Sequence, residues 1–457
     1  MKTNFSLSGI PDFSSFDIQK RDYVLSIIKK HFIAFGFSPI STALIEKRSN
    51  LFGSYGEDGE KLIFQILKSG DYLSKTNCDL KKITSNELSE NISDKALRYD
   101  LTVSFARFFS QNQSDINLPF RRYEIGPVFR ADRPQKGRLR QFTQCDADII
   151  GSKSLLLEVD LISLIDSVLT SLKLNNMVIK ISNRKILEGI FQSLSINLNF
   201  SQFSTTIDKL DKIGLNKVCD LLSSHGLPVS QVKLIKNIFS FEGTYQDKKT
   251  YVLSNFNNKN LKLGFDEISF IFSQIDALKL KTHINLDFSL ARGLDYYTGS
   301  IFEVVSSDNN FGSICGGGRY DQLTEKFNIN NISGVGMSFG LDRLCILLDE
   351  FNLFPNKIAF SLDYMFINFG EETVSLSQYY MQKLRMLGAS VEIYPEAVKI
   401  NKQLSYANKR GVKFVIMIGE EEAKKQQLSV KNMIDGSQEL ISFETLIKKM
   451  EFGEKKN

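Results

Sequence analysis

Residues 121–151 read RRYEIGPVFRADRPQKGRLRQFTQCDADIIG, two β-like runs on either side of a turn crowded with cations. In the second run, QFTQCDADII (141–150), the two-residue period of a strand puts Thr143, Cys145, Ala147 and Ile149 on one face and Phe142, Gln144, Asp146 and Asp148 on the other. The first face is small and apolar and suits packing on helices. The second is mostly polar and costly to bury dry, so the plainest expectation is an antiparallel sheet with one wet face. The turn complicates this picture, because Arg130, Arg133, Lys136, Arg138 and Arg140 repel one another unless water or an anion compensates them. A solvated charged loop meets that need. So does an arginine-lined edge facing a phosphate, beside an amide-and-carboxylate floor that suits a zwitterion.

Upstream, Leu25, Ile28, Phe32 and Phe35 recur at helical spacing between Asp17 and Phe35, and Gly36 follows where a left-handed cap residue belongs. Downstream, residues 155–172 carry a second apolar helix pattern. From about 190 to 275, Leu, Ile and Phe recur at helical spacing between Ser and Asn, which predicts a helical insertion. INLDFSLARGLDYYTGSIFEVV (284–305) and SICGGGRYDQL (313–323) predict strand, turn, strand and a glycine-rich bend. GVGMSFGLDRLCILLDEF (334–351) passes from glycines into an apolar helix. Past a boundary at about 352–360, YMFINF (364–369), SVEIYP (390–395) and FVIMIG (414–419) alternate with helical stretches, as expected of a small α/β domain with a largely parallel sheet.

A chain of 457 residues that is 42% hydrophobic can bury a sizeable core and divide into two or three domains. Its net charge of +5 is small for that length, so a polyanion site has to be a local patch rather than a property of the whole surface. Cys78, Cys145, Cys219, Cys315 and Cys345 form no CxxC pair and have no nearby histidine, which argues against disulfides and structural zinc. MKTNFSLSGIPDFSSF (1–16) has no apolar signal core and no apolar run is long enough for a bilayer, so the expected home is the cytoplasm, away from membranes.

Two more constellations carry chemistry. In ARGLDYYTG (291–299), Arg292, Asp295, Tyr296 and Tyr297 crowd a turn that by itself needs only Gly, Asn or Asp. They fit either core filling with hydroxyls at the edge or, with Gly316, Gly317 and Gly318 nearby, a pocket rim for a ligand backbone or a nucleotide ring. GVGMSFGLDRL (334–344) lacks the βαβ context of a dinucleotide site, and no GxxxxGK[ST] phosphate loop occurs. Its glycines suit close approach of a strand and a helix, with Arg343 in the helix's first turn as an ion-pair partner or a phosphate ligand. His31, His225 and His283 lie outside all of these groups. Nucleophilic triads are thereby disfavoured, and chemistry on arginines, carboxylates and phenols points to nucleotidyl or phosphoryl transfer.

These residues also carry a resemblance. FRADRPQKGRLRQF (129–142) resembles motif 2 of class II aminoacyl-tRNA synthetases and GVGMSFGLDRL resembles their motif 3. LARGLDYYTGSIFEV (290–304) and CGGGRYDQL (315–323) resemble the two signatures of the histidyl-tRNA synthetase family, and LRYDLTVSFARF (97–108) resembles its amino-acid-holding segment. The similarity runs from GIPDF (9–13) into the C-terminal domain. It implies an α+β fold, with a class II antiparallel sheet, flanking helices and a helical insertion at about 190–275 in a catalytic domain of residues 1–355, followed by an anticodon-binding α/β domain over 356–457. It further implies a homodimer that uses ATP with Mg²⁺ to make histidyl-adenylate from L-histidine and passes the acyl group to the 3′ end of tRNA(His).

Carried onto matching positions, the resemblance gives Asp100, Thr102 and Gln144 to the substrate ammonium, Asp148 and Tyr297 to the imidazole, and Tyr296 to the same pocket. Arg130 and Arg292 would grip the α-phosphate and Arg343 the distal phosphate, while Arg133, Gln135 and Lys136 would meet the acceptor end of the tRNA. Metal ligands are not assigned. The chain departs from the family in having Ala43 in FSPISTALIEKRS (37–49), where a proline is usual at the dimer interface, and Asp148 where a longer glutamate is common. The competing expectation is a non-catalytic histidine sensor, the regulatory relative of ATP phosphoribosyltransferase. That relative typically loses the signature arginines and the C-terminal domain, both present here.

Overall fold

The run 121–151 forms a hairpin whose strands are the second and third of an eight-stranded sheet. In chain order its strands are β1 (Ser38–Pro39), β2 (Phe120–Phe129), β3 (Gln141–Ile150), β4 (Met177–Asn183), β5 (His283–Leu286), β6 (Ser300–Ser306), β7 (Cys315–Tyr320) and β8 (Gly334–Gly340). They lie side by side as β1-β2-β3-β8-β7-β6-β4-β5, antiparallel from β2 through β4, with β1 and β5 added parallel at the two edges. This computed structural model describes residues 6–72, 74, 79, 82–194, 196–290, 297–307, 311–355 and 362–454. The chain forms two compact units, Met1–Phe13 with Lys20–Phe354, and Ser14–Gln19 with Pro355–Asn457.

Helices cover the apolar face of the sheet as the alternation in β3 requires. Val24, Ile28 and Phe32 of α1 (Ser15–Ala34) and Leu161, Ile165 and Val168 of a helix at Leu156–Ser171 form one buried cluster with Cys145, Ala147 and Ile149. Gly36 takes φ +79° just past the end of α1, the left-handed conformation a glycine adopts without strain. The opposite face departs from the expectation of a wet surface. Gln144, Asp146 and Asp148 are 8%, 1% and 1% exposed, because side chains from neighbouring strands pack around them and supply some of the partners that water would have given.

Between β4 and β5 the chain forms helices from Arg184–Gln192 to Lys259–Leu278, with no strand among the described residues of that stretch. A second buried charge lies where β7 ends. Arg319 donates to Glu158 Oε1 at 2.6 Å, to Ser333 Oγ at 2.7 Å and to the Ser154 carbonyl at 2.9 Å, tying the glycine-rich strand to the start of the helix Leu156–Ser171. The Glu158 side chain is fully buried. Removing one partner of such a pair strands the other. Arg319→Ala is therefore expected to cost about 3–5 kcal/mol of unfolding free energy, read from a denaturant midpoint. A loss below about 1 kcal/mol would mean that the pair behaves as a screened surface bridge.

In the second unit, Tyr364–Phe366 lies between Val391–Ile393 and Phe414–Met417 and is parallel to both. Gln427–Asn432 and Gln438–Ser442 then add antiparallel. The sheet is thus mixed rather than largely parallel. Tyr364 and Phe366 enter one apolar cluster and Met365 and Ile367 another, so both faces are covered and the strands read as unbroken apolar runs.

Candidate active site

Within the first unit, a cavity of about 1250 Å³ opens over the polar face of the sheet. Strand register builds its floor. Arg122, Asp148, Gly336 and Gly318 form one row across β2, β3, β8 and β7, and Glu124, Asp146 and Ser338 form the next. The paired glycines leave a hollow. A methyl added at Gly336 would lie 1.9 Å from Asp148 Oδ1, and one at Gly318 would lie 3.0 Å from Tyr297 Cδ1. Gly334 and Gly336 of GVGMSFG therefore make room for the cross-strand side chains of Tyr320 and Asp148, where close approach to a helix had been expected, while Gly340 lies against Arg343 of the following helix.

The carboxylates of the floor are held in place by donors. Asp148 Oδ1 accepts from the Tyr320 hydroxyl at 2.7 Å, and its Oδ2 lies 2.7 Å from Arg122 Nη2. That second contact is an ion pair without hydrogen-bond alignment, so Oδ2 still lacks a hydrogen-bond donor among the described residues. Burial pushes the Asp148 carboxyl above its usual range and Arg122 opposes the rise. For Asp146 burial dominates, with Arg122 opposing, and its carboxyl sits well above the carboxylate range. Gln144 donates Nε2 to Ser338 Oγ at 2.7 Å, leaving its buried Oε1 without a donor.

Asp100 lies just before a helix at Thr102–Gln111. Its Oδ1 accepts from the Val103 N–H at 3.0 Å in that helix's first turn and from the Tyr55 hydroxyl at 3.0 Å. Burial and the adjacent carboxylate push the Tyr55 phenol well above its usual range, and the same two causes act on Tyr320 beside Asp148, so both stay neutral donors.

Cations form the edge. The Arg130 guanidinium stands 4.3 Å from the Tyr99 ring centre and 5.2 Å from that of Phe142, and Nε donates to the Tyr99 carbonyl at 3.1 Å. Those contacts fix its plane through cation–π attraction and one hydrogen bond. Arg343 occupies the first turn of the helix Leu341–Glu350 and donates Nε to the Gly137 carbonyl at 2.7 Å, at the tip of the β2–β3 hairpin. Its neighbour Asp342 accepts from the Thr143 N–H at 2.8 Å, which seats that turn against β3.

The cavity brings together Asp100, Thr102, Arg130, Gln135, Gln144 and Asp148, and also Tyr297 and Arg343. Arg133 and Lys136 do not line it; Arg133 is exposed and Lys136 pairs with Glu350. Arg292 and Tyr296 lie outside the described residues. Arg138 lines the wall with its charge met by Asp132 at 2.7 Å, so protein carboxylates relieve part of the turn's self-repulsion. His225 of the helical insertion also borders the cavity, bringing a histidine to the site that sequence spacing had kept apart from it. Sequence reasoning missed Arg122, Tyr320, Tyr55 and Ser338. Counting by twos from Glu124 and Gly318 would have put Arg122 and Tyr320 on the ligand face.

A family model described as histidyl-tRNA synthetase matches residues 88–344, and one described as an anticodon binding domain matches residues 363–452. The chain is 43% identical to a histidine–tRNA ligase of Flavobacterium johnsoniae, over 96% of this chain and 97% of the other, and 42% identical to one of Christiangramia forsetii over the same shares. Among solved structures, a histidyl-tRNA synthetase from Nostoc sp. PCC 7120 superposes with a TM-score of 0.78 at 28% identity, covering 98% of this chain and 100% of that one.

Proposed function

Because the chain belongs to the histidyl-tRNA synthetase family and acts as a histidine–tRNA ligase, we propose how its own side chains divide the two steps of that reaction. Asp100, Thr102 and Gln144 hold the substrate ammonium, and the donorless Gln144 Oε1 is an acceptor suited to an N–H⁺ group. Asp148 and Tyr297 contact the imidazole, with Tyr296 in the same pocket. A site built to pair both ring nitrogens rejects analogues lacking one by ~10⁴ or more, because a buried polar group is then left unpaired.

In the first step a carboxylate oxygen of histidine attacks the α-phosphorus of ATP, the bond to the bridging oxygen of the β-phosphate breaks, and pyrophosphate leaves. Arg130 and Arg292 meet the negative charge that grows on the α-phosphate oxygens, and Arg343 holds the distal phosphates. Guanidiniums fixed in advance stabilise that charge more in the transition state than in the ground state. In the second step the 3′-terminal adenosine hydroxyl of tRNA(His) takes the acyl group and AMP leaves. Gln135 meets the acceptor end at the cavity, with Arg133 and Lys136 on the outer surface of the same loop.

Among the described residues, no group of three or more His, Cys, Asp or Glu side chains is placed to hold a metal ion. Mg²⁺ would enter with its substrate as MgATP. The second unit reads the anticodon end, and the working form is a cytoplasmic homodimer. No described helix is long and apolar enough to cross a membrane.

The observation that carries this assignment is the convergence on one cavity of Arg130, Gln144 and Asp148 from the β2–β3 hairpin with Arg343 from the remote helix Leu341–Glu350. Pyrophosphate exchange into ATP tests it. Histidine alone among the amino acids is expected to support exchange, followed by charging of tRNA(His). Histidine binding without exchange would favour the sensor instead.

A further inference from the structure

Arg122 has the largest side chain among the fully buried ones and is 0% exposed, yet its Nε and Nη1 make no hydrogen bond. Its guanidinium lies 4.4 Å from the Phe105 ring centre and donates Nη2 to the Leu101 carbonyl at 3.3 Å. Glu124, its neighbour on β2, is already committed, with Arg98 Nη1 at 2.8 Å and the Thr42 N–H and hydroxyl at 2.8 and 2.9 Å all on Oε1; Arg122 approaches Glu124 only to 4.0 Å. The close carboxylate for Arg122 is Asp148, at 2.7 Å and directly across the strand pair. A buried cation with two unfilled donors is an expensive way to stabilise a fold, since an apolar side chain of similar volume usually does as well or better. Its placement beside Asp148 in the floor row indicates a different use.

We propose that Arg122 is a positioning residue for histidine recognition: from beside Asp148 in the cavity floor it favours the charged carboxylate and holds it in one orientation, so that the group reading the imidazole stays an acceptor. This rests on the assignment of Asp148 to the imidazole. The groups facing Asp148 are Arg122 and Glu124 from β2, Asp146 from its own strand, Tyr320 from β7 and Asp100 from the segment before the helix Thr102–Gln111. Three carboxylates and burial favour the protonated form of Asp148, while Arg122 is the one cation in that set and the Tyr320 hydroxyl helps it. Tyr320 fixes Oδ1 and Arg122 draws Oδ2, so the remaining lone pair of Oδ2 is held for the substrate N–H.

Without Arg122, burial and the neighbouring carboxylates act on Asp148 with no cation in that set to oppose them, so its carboxyl takes up a proton at higher pH than in the unaltered protein. A protonated carboxyl is a poorer acceptor for the ring N–H, so affinity is lost as pH falls and regained as it rises. The test is the KM for histidine in pyrophosphate exchange between pH 6 and 9, expressed as the ratio of Arg122→Gln to the unaltered protein so that the substrate's own ionisation cancels. The ratio is expected to fall by about tenfold per pH unit while Asp148 is protonated and then to level off, with kcat at saturating histidine little changed. Arg122→Lys, which keeps the charge, is expected to flatten the ratio. Should Arg122→Gln fail to fold, Arg122→Gln/Glu124→Gln removes one charge of each sign and is expected to slope the same way.

A ratio independent of pH in either folded glutamine variant overturns the proposal, as does a uniform rise in KM that Arg122→Lys does not correct. Asp148→Asn separates the two levels of the argument. A raised KM for histidine in Asp148→Asn upholds the imidazole contact, and the Arg122 profile then decides the proposal. An unchanged KM removes the contact itself, and with it the ground on which the role of Arg122 stands.

Discussion

Arg130→Ala is expected to lower histidine-dependent pyrophosphate exchange by about 10²–10³-fold, the usual loss when one preorganised donor to developing charge is removed. The effect belongs in kcat, because the phosphate oxygens carry more charge to stabilise in the transition state than in bound ATP. The fold should barely notice. Arg130 is only partly buried, its side chain makes one hydrogen bond among the described residues, to the Tyr99 carbonyl, and its contacts to Tyr99 and Phe142 are those of a side chain held for use at the cavity edge. A melting temperature near that of the unaltered protein, together with the drop in exchange, would establish the role. Arg130→Lys should recover only part of the rate, since an ammonium is a point charge that cannot present a planar fork to a phosphate. Exchange by Arg130→Ala within about tenfold of the parent would remove this guanidinium from the chemical step.

Gly336→Ala should be nearly as damaging and for a different reason. Gly336 is not among the glycines with positive φ, so alanine is allowed by the backbone, and the whole cost arises from where the methyl lands. At 1.9 Å from Asp148 Oδ1 and 2.5 Å from its Cγ, the added carbon forces Asp148 away from Tyr320 and Arg122 or prises β8 from β3. Strain of this kind costs about 1–3 kcal/mol, and parting a buried ion pair costs about 3–5 kcal/mol more if it is broken outright. Even about 3 kcal/mol appearing in substrate binding is a more than hundredfold rise in the KM for histidine. Gly316→Ala is the control for stability, because its methyl would meet only the Phe302 carbonyl, at 3.9 Å. A Gly336→Ala protein with parental KM and melting temperature would show that the hollow over Asp148 is not needed.

The two predictions differ in how far the sequence alone could have led to them. Arg130 stands in a motif whose cation density already asked for an anion, and its neighbours Asp132 and Arg138 are local in the chain. Gly336 stands in a motif that suggested close approach but not to what. Its partner carboxyl belongs to a residue 188 positions earlier, counting from 148 to 336, brought alongside by the β3–β8 register. Similarly, the polar face of β3 was legible as polar from alternation, whereas its burial depended on Arg122 and Tyr320 arriving from two other strands.

By itself, then, the sequence determined which residues could share a face, where helices replace strands, and which motifs carry cations and carboxylates, because strand and helix periods are local properties of the backbone. Only the tertiary structure decided which charge meets which. The β2–β3 register sets Arg122 against Asp148, the Tyr320 hydroxyl arrives from 172 residues away, and a glycine between them leaves the space. Coulomb and steric terms act over a few ångströms, and distances that short between remote segments exist only once the sheet has formed.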